Sequence, residues 1–397
     1  MNTCTSDPSQ TPPVPRAGEP APGMADCIAV SAVPQAAWRA LGDRAIEPSG
    51  YYLPEWEAAV SASARGRTGA SALAAFDSRE KTQLLGLMPV VPLWRAKRIA
   101  LPALVSAHPY GVLGTPLLDR DRAVEAVRDL LDAARTGGAR AILLRDLPLD
   151  GAAFAAIDEA MDAMGLRPRI LRHSARACLD ATRDADTTLR EALGARRLKD
   201  LRRLRRRLAD HGPVAFSVAR MPTDVARELE AFLRLEASGW KGARGTALIQ
   251  HAGDAAFIRS AAPALAAHGQ CEIATLRAGE HPVAAAVLLR HLDRTFYFKL
   301  GIDERFARMS PGVQLTLDIT RHLCADPAIS LADSTAEDGN PMIEPIWRGR
   351  LRLGDVLLPL RRTDPVVPAI ATALKLHDAA YQNARRIVRT VRRITGR

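Results

Sequence analysis

One arrangement of secondary-structure patterns occurs twice along this 397-residue chain. Each copy begins with two strand-like runs that flank a polar turn, and a loop, a helical pattern and a buried-type strand follow. The first copy comprises residues 71–76, 84–91, 119–134 and 141–144; the second comprises residues 271–277, 282–289, 313–324 and 328–332, with an extra strand at 295–300. A unit repeated in this way predicts two similar α/β halves in tandem, each a mixed sheet flanked by helices.

The pattern also predicts the domain boundaries. Residues 1–25 are rich in proline and are expected to form a disordered tail. Residues 26–182 form the first half and residues 183–362 the second. Residues 363–397 are expected to form a basic C-terminal helix, with Val367, Ile370, Leu374 and Tyr381 on one stripe.

Two segments account for the net charge of +11. Residues 190–207 contain nine basic and two acidic residues, and residues 384–397 contain six arginines and no acidic residue. The rest of the chain is therefore close to neutral. The first segment is predicted to be helical, with Thr188 and Glu191 spaced as in a capping box. A solvated basic face, a site for a phosphorylated partner such as tRNA, and, for the C-terminal helix, contact with an anionic membrane surface all remain open.

Other features narrow the class of protein. No apolar run is long enough for a transmembrane span, and the N-terminal residues lack the apolar core of a secretory signal. The five cysteines have neither disulfide-framework nor zinc spacing, and the histidines show no ligand spacing, so no metal site is expected. A cytoplasmic location is the simplest interpretation.

Three stretches carry a family resemblance: FLRLEASGWKGARGTAL from Phe232, FYFKLGIDERFARMSPGVQL from Phe296, and ISLADSTAEDGNPMIEPIW from Ile329. Together with the hairpin EIATLRAGEHPVAAAVLL, they resemble the acetyltransferase domain of the CelD-type cellulose-biosynthesis proteins. That domain is a branch of the GNAT acyl-CoA N-acyltransferases and is related to the FemAB-like aminoacyl transferases. The resemblance covers about residues 187–360, and its most specific part is E-x-S-x-W-K-G-x-x-G-T. It implies a GNAT fold and acetyl-CoA or another acyl-CoA as co-substrate.

The loop before the helix at 313–324 is the candidate donor site. A helix N-terminus with a glycine for close backbone approach binds anions well. In the GNAT enzymes the pyrophosphate of coenzyme A lies at this place. The residues that would bind it are Arg308, Ser310, Pro311, Gly312 and Val313. The pattern is degenerate, because Pro311 stands where a glycine would supply an amide; a plain Pro-Gly turn is the alternative.

A second group of residues is predicted to bind the acceptor. A glycine-bearing loop with an aromatic residue beside a cation suits an anionic or sugar-like ligand. The group consists of Trp240, Lys241, Arg244, Thr246 and Lys299. A helix C-cap with Trp240 packed in the core is the alternative.

Acyl transfer from a thioester needs a deprotonated acceptor and a proton for the departing thiolate. Asp333 and Glu236 are the candidate bases, and Tyr297 is the candidate proton donor. Tyr297 and Lys299 are two residues apart in one strand and are expected to share a face.

The leading hypothesis is therefore an acyltransferase (EC 2.3.1.-) that transfers an acyl group from acyl-CoA to an amine or a hydroxyl. Its second half would be catalytic, and its first half would complete the acceptor cleft. The resemblance suggests a sugar or exopolysaccharide precursor as acceptor. A FemAB-like transferase that uses aminoacyl-tRNA, and a non-catalytic scaffold of a polysaccharide-synthesis complex, are the alternatives.

Overall fold

The computed structural model describes residues 24–77, 83–107, 110 and 113–394; the side chains of residues 24–26, 240, 382 and 384–394 lie outside this description. The predicted tail therefore falls outside the described residues, except that Met24 and Ala25 begin the first strand. Among the described helices, none is both long and apolar enough to cross a bilayer.

Thirteen strands form one mixed sheet. They are β1 Met24–Ala29, β2 Ser71–Phe76, β3 Leu84–Pro92, β4 Ala103–Ser106, β5 Leu117–Leu118, β6 Ala141–Pro148, β7 Arg169–Asp180, β8 Val214–Ala219, β9 Cys271–Ala278, β10 His281–His291, β11 Arg294–Ile302, β12 Leu331–Asp333 and β13 Gly349–Pro359. The strand order is β1-β2-β3-β4-β6-β13-β7-β12-β11-β10-β9-β8, with β5 paired to β3.

The order is symmetric about the boundary between β13 and β7. Four antiparallel strands in each half (β1 to β4, and β8 to β11) lead to a parallel strand, β6 or β12. The last strand of each half then pairs with the other half: β7 pairs with β12, and β13 pairs with β6. The predicted α/β architecture of a mixed sheet flanked by helices is confirmed, and this exchange joins the two halves into one sheet.

Eleven α-helices flank the sheet within the described residues. They are α1 Gln35–Asp43, α2 Pro54–Ser63, α3 Leu93–Lys97, α4 Ala123–Thr136, α5 Ala152–Ala163, α6 Ala185–Ala209, α7 Pro222–Ser238, α8 Trp240–Ala243, α9 Ala252–Ala266, α10 Pro311–Cys324 and α11 Val366–Ile394. A 3₁₀ helix, Glu304–Met309, precedes α10.

The helices of the second half cover both faces of its sheet. On one face, α7 and α9 pack over Ala285, Val287 and Leu289 of β10. On the other face, α6 and α10 pack over the alternate residues of the same strand. Helix α2 of the first half packs on the α7 and α9 side, where the rings of Trp56 and Phe257 meet edge to face at 4.9 Å. The two halves therefore share a core as well as a sheet.

Helix α6 differs from its prediction at both its start and its middle. The capping box of Thr188 and Glu191 is wrong, because α6 begins earlier and the carboxylate of Asp184 accepts the Thr187 amide at 2.8 Å. An aspartate is at least as good an N-cap as a threonine, and here it comes first along the chain. Gly194 then interrupts the helix with φ 72° and ψ 161°, a backbone conformation that favours glycine.

Helix α11 confirms the predicted C-terminal helix over Val366–Ile394. Val367, Ile370 and Leu374 are buried in one apolar cluster, as their spacing indicates. Tyr381 is instead 56% exposed and lies at a cavity between the halves.

Candidate active site

A cavity of about 960 Å³ lies where the two halves meet. The first half contributes side chains from α2, α3, β4 and the end of β6. The exchanged strands β7 and β13 form its floor, the loop after β12 borders it, and α11 covers one side. Its walls therefore come from both halves. The predicted acceptor residues Lys241, Arg244, Thr246 and Lys299 are not among the described residues that line it.

The cavity wall is densely charged, and three of its acidic side chains form ion pairs. Arg172 binds two carboxylates, with Nη2 at 2.6 Å from Asp146 Oδ1 and Nε at 2.9 Å from Asp355 Oδ2. Lys97 of α3 binds Asp378 of α11 at 2.9 Å and thereby fixes the C-terminal helix beside the cavity. These pairs hold the walls in place through charge-assisted hydrogen bonds.

Asp333 lies at the end of a central strand, as predicted, behind the cavity wall. Its Oδ2 accepts a hydrogen bond from Arg176 Nη1 at 3.0 Å, and its Oδ1 accepts the Thr335 amide at 2.7 Å. Both side chains of the ion pair are at most 5% exposed, and Arg176 lines the cavity. Asp333 therefore orients Arg176 toward the cavity, and its role as a base stays a prediction.

Glu236 is fully buried between two lysines. Its Oε1 accepts from Lys299 Nζ at 3.1 Å and from Lys241 Nζ at 3.2 Å, and its Oε2 accepts the Leu248 amide at 2.9 Å. Burial alone would raise the pKa of Glu236, but the two ammonium groups and the amide outweigh it and lower that pKa. Burial and the charge of Lys299 lower the pKa of Lys241.

The cluster of Glu236, Lys241 and Lys299 ties the glycine-bearing loop to the sheet. Lys241 Nζ also donates to the Leu300 carbonyl of β11 at 3.2 Å. Gly242 is required here, because a Cβ atom would lie 1.7 Å from the Ala237 carbonyl oxygen. The structure thus brings Lys241 and Lys299 together on one carboxylate, and their binding of an acceptor stays a prediction.

The remaining loop residues lie further out. Arg244 and Thr246 are exposed, and the Thr246 amide donates to the Lys241 carbonyl at 2.9 Å. Trp240 begins α8, and its side chain lies outside the described part of the structure. Binding of the acceptor by these residues stays a prediction.

A β-bulge separates Tyr297 from Lys299, so the expectation that they share a face is wrong. Tyr297 pairs with Leu288 and Lys299 with Val287, which leaves Phe298 as the extra residue. Tyr297 faces α10, where its hydroxyl lies 3.3 Å from Thr316 Oγ1, whereas Lys299 faces Glu236 of α7. Burial raises the pKa of Tyr297, so its hydroxyl keeps its proton.

The two parallel strands beside this bulge pair over a short stretch. Strands β11 and β12 pair only from Arg294 to Phe296 and from Leu331 to Asp333, although β11 continues to Ile302. Beyond the pairing, Thr335 Oγ1 donates to the Tyr297 carbonyl at 2.5 Å. The bulge and the cavity therefore lie at the same edge of the sheet.

The predicted donor loop follows β11 on the α10 face. Ser310 adopts the left-handed conformation with φ 52°, and Pro311 is the first residue of α10. The first intrahelical bond runs from the Gln314 amide to the Ser310 carbonyl at 3.1 Å, so the amides of Gly312 and Val313 precede the hydrogen-bonded turns. The side chain of Arg308 is exposed beside them. The five predicted residues thus lie within residues 308–313, at a helix N-terminus of the kind that binds anions, and their role in binding a donor stays a prediction.

Residues 195–337 match the family described as the acetyltransferase (GNAT) domain. The second half of the chain contains a GNAT-type acetyltransferase domain. A search of the curated proteins found no match for the chain.

Two solved structures resemble this chain over most of its length. FemX is 12% identical, with a TM-score of 0.54 over 85% of this chain and 98% of FemX. The C-terminal domain of a putative lysylphosphatidylglycerol synthetase from Agrobacterium fabrum is 15% identical, with a TM-score of 0.51 over 86% of this chain and 95% of that domain. At these identities the likeness establishes the fold alone.

Sequence reasoning missed the charged residues that the first half places in the cavity, above all Glu57 and Arg145. A signal for Glu57 was present. It shares the apolar stripe of α2 with Leu53, Trp56 and Val60, where a carboxylate is unusual. Arg145 carried no such signal, because the predicted strand ended at residue 144, whereas β6 continues to Pro148.

Proposed function

We propose that the protein transfers an acyl group from acyl-CoA to an acceptor that binds in the cavity between the halves. The observation that carries this proposal is the placement of the two sites on opposite faces of one sheet. The N-terminus of α10 belongs to one face, and the cavity residues Val60 and Leu353 belong to the core on the other. The edge where the pairing of β11 with β12 ends belongs to the sheet between these two faces.

The proposed chemistry uses groups at that edge. The acceptor nitrogen or oxygen attacks the thioester carbonyl carbon and gives its proton to a water molecule, while the carbon–sulfur bond breaks. Phe298 is the extra residue of the bulge, and its amide is the candidate donor to the developing oxyanion. That water passes the proton to the departing thiolate, and Tyr297, whose raised pKa keeps it protonated, donates a hydrogen bond to the same sulfur.

The nature of the acceptor is a further part of the proposal. The resemblance to CelD-type proteins favours a sugar or an exopolysaccharide precursor. The cavity is large enough for a sugar-sized ligand and presents several arginines to it, including Arg145 and Arg176.

A second candidate donor is aminoacyl-tRNA, which the surface of α6 favours. Its exposed cations are Arg190, Arg196, Arg197, Lys199, Arg202, Arg203, Arg206 and Arg207. Helix α6 packs against both α10 and the 3₁₀ helix before it, so these cations lie near the proposed donor loop. Such a surface attracts phosphates without reading a base sequence.

One assay separates the two donors. The purified chain is incubated with acetyl-CoA or a longer acyl-CoA and a panel of amines and sugars, and free thiol is measured. The proposal predicts acceptor-dependent thiol release that is unchanged when Arg202, Arg203 and Arg206 are all replaced by glutamate. Transfer from aminoacyl-tRNA that falls steeply with salt and is lost in this triple variant would favour the second candidate. Absence of transfer from either donor would favour a scaffold.

A further inference from the structure

Glu57 occupies an unusual position in the cavity wall. It lies in the first turn of α2, is 1% exposed, and lines the cavity. Its Oε2 has no hydrogen-bond partner among the described residues. Burial raises the pKa of Glu57 well above its usual value, and the charge of Arg67 only partly opposes this. A buried carboxylate without a partner costs free energy that a bound cation or donor would recover.

The other buried carboxylates at or near this site have charge partners among the described residues. Asp333 is held by Arg176, Glu236 by two lysines, and both Asp146 and Asp355 by Arg172. The side chain of Glu57 is therefore the buried carboxylate of this wall that is available to a ligand.

A cation lines the same cavity. Arg145 lies within β6, and its Nε is buried without a hydrogen-bond partner among the described residues. The charges of both Glu57 and Arg145 act on Tyr52. Burial and the charge of Glu57 raise the pKa of Tyr52, and the charge of Arg145 lowers it. One part of the cavity thus offers a carboxylate and a guanidinium with unused hydrogen-bonding capacity.

We propose that Glu57 selects the acceptor by receiving its amino group while Arg145 receives an anionic group of the same molecule. The acceptor is then a primary amine that also carries a carboxylate or a phosphate. This inference rests on the proposed function, since it assigns the substrate class of the same cavity. It makes the first half the part of the molecule that determines specificity.

The first test compares matched pairs of ligands that differ only in the amine. Suitable pairs are glucosamine 6-phosphate with glucose 6-phosphate, and 2-aminoethyl phosphate with 2-hydroxyethyl phosphate. Binding to the full chain is measured by calorimetry without any acyl-CoA. A hydrogen bond to a charged group corresponds to a preference of roughly tenfold to a hundredfold for the amine. If no amine binds better than its hydroxyl partner, the inference is overturned.

Two variants test whether Glu57 causes the preference for the amine. Glu57→Gln keeps the size of the side chain and removes the charge, so the preference should fall to about twofold or less. The matched control is Glu55→Gln, because Glu55 lies in the same helix but pairs with Arg39 and does not line the cavity. A preference that survives Glu57→Gln, or that is lost equally in Glu55→Gln, would contradict the assignment.

The anionic group is tested with Arg145→Gln. This variant should weaken the binding of glucosamine 6-phosphate but not the binding of glucosamine. Equal weakening of both would overturn the assignment of Arg145. Acetyl-CoA binding is measured in parallel. If the wild-type protein does not bind acetyl-CoA, the result counts against the proposed function. If it binds acetyl-CoA but shows no preference for the amine, the result counts against this inference alone.

Discussion

At the scale of single residues, charge pairing decides what each carboxylate in the molecule can do. Glu236 balances two buried lysines and fastens the loop of Lys241 to β11. Asp333 balances Arg176. From the sequence, Glu236 and Asp333 were predicted as candidate bases because of their residue type and position. Their partners are 5 to 157 residues away along the chain and could not be read from spacing.

Replacement of Glu236 by glutamine should destabilise the protein by about 3 kcal/mol or more, because two partly buried ammonium groups lose their counter-charge. Chemical denaturation at pH 7 measures the change. Glu230→Gln is the control, since the pair of Glu230 and Arg259 is exposed and should contribute less than about 1 kcal/mol. Equal losses in the two variants would show that the buried cluster does not fasten the loop.

At the scale of elements, local patterns predicted the hairpins well. Strands β2 and β9 begin at the predicted residues, because alternation and flanking turns are local signals. The start of α6 was mispredicted, because two caps compete within four residues. The bulge at Phe298 was not foreseen, because it depends on the register between β10 and β11 rather than on composition.

One contact between elements should make stability depend on pH. The Ser49 amide donates to His291 Nδ1 at 2.8 Å, and His291 Nε2 lies 3.0 Å from the Gly42 carbonyl, so the neutral ring joins the first half to β10. Burial lowers the pKa of His291 to about 4. A group whose pKa is lowered in the folded state loses its contribution as pH falls from its unfolded pKa toward its folded pKa.

Between pH 7 and pH 4.5, His291 should therefore cost the folded state about 2 to 3 kcal/mol. His291→Gln keeps a donor and an acceptor but does not titrate. The unfolding free energy of this variant should therefore fall by about 2 to 3 kcal/mol less than that of the wild type between pH 7 and pH 4.5. The measurement is urea denaturation of both proteins at the two pH values. Parallel pH profiles would contradict the structural role assigned to the neutral imidazole.

At the scale of the whole molecule, the tandem layout was predictable but the joining of the halves was not. The repeat of hairpin, helix and strand is visible in the sequence, because each copy has its own local periodicity. The exchange of β7 and β13 is not visible in the sequence, since β13 pairs with a strand about 200 residues earlier. The cavity follows from that exchange, and so the residues of the first half that line it were missed.

The central claim is that an acyl-CoA binds at the N-terminus of α10, on the face opposite the acceptor cavity. Gly312 tests it most directly. A Cβ atom there lies 3.1 Å from both Ile302 and Leu300, so alanine and aspartate disturb the packing alike, but only aspartate places a negative charge beside the amides. Calorimetric titration with acetyl-CoA should give wild-type and Gly312→Ala affinities within a few fold of each other, and Gly312→Asp should bind at least about tenfold more weakly. Equal affinity in the alanine and aspartate variants would contradict the account.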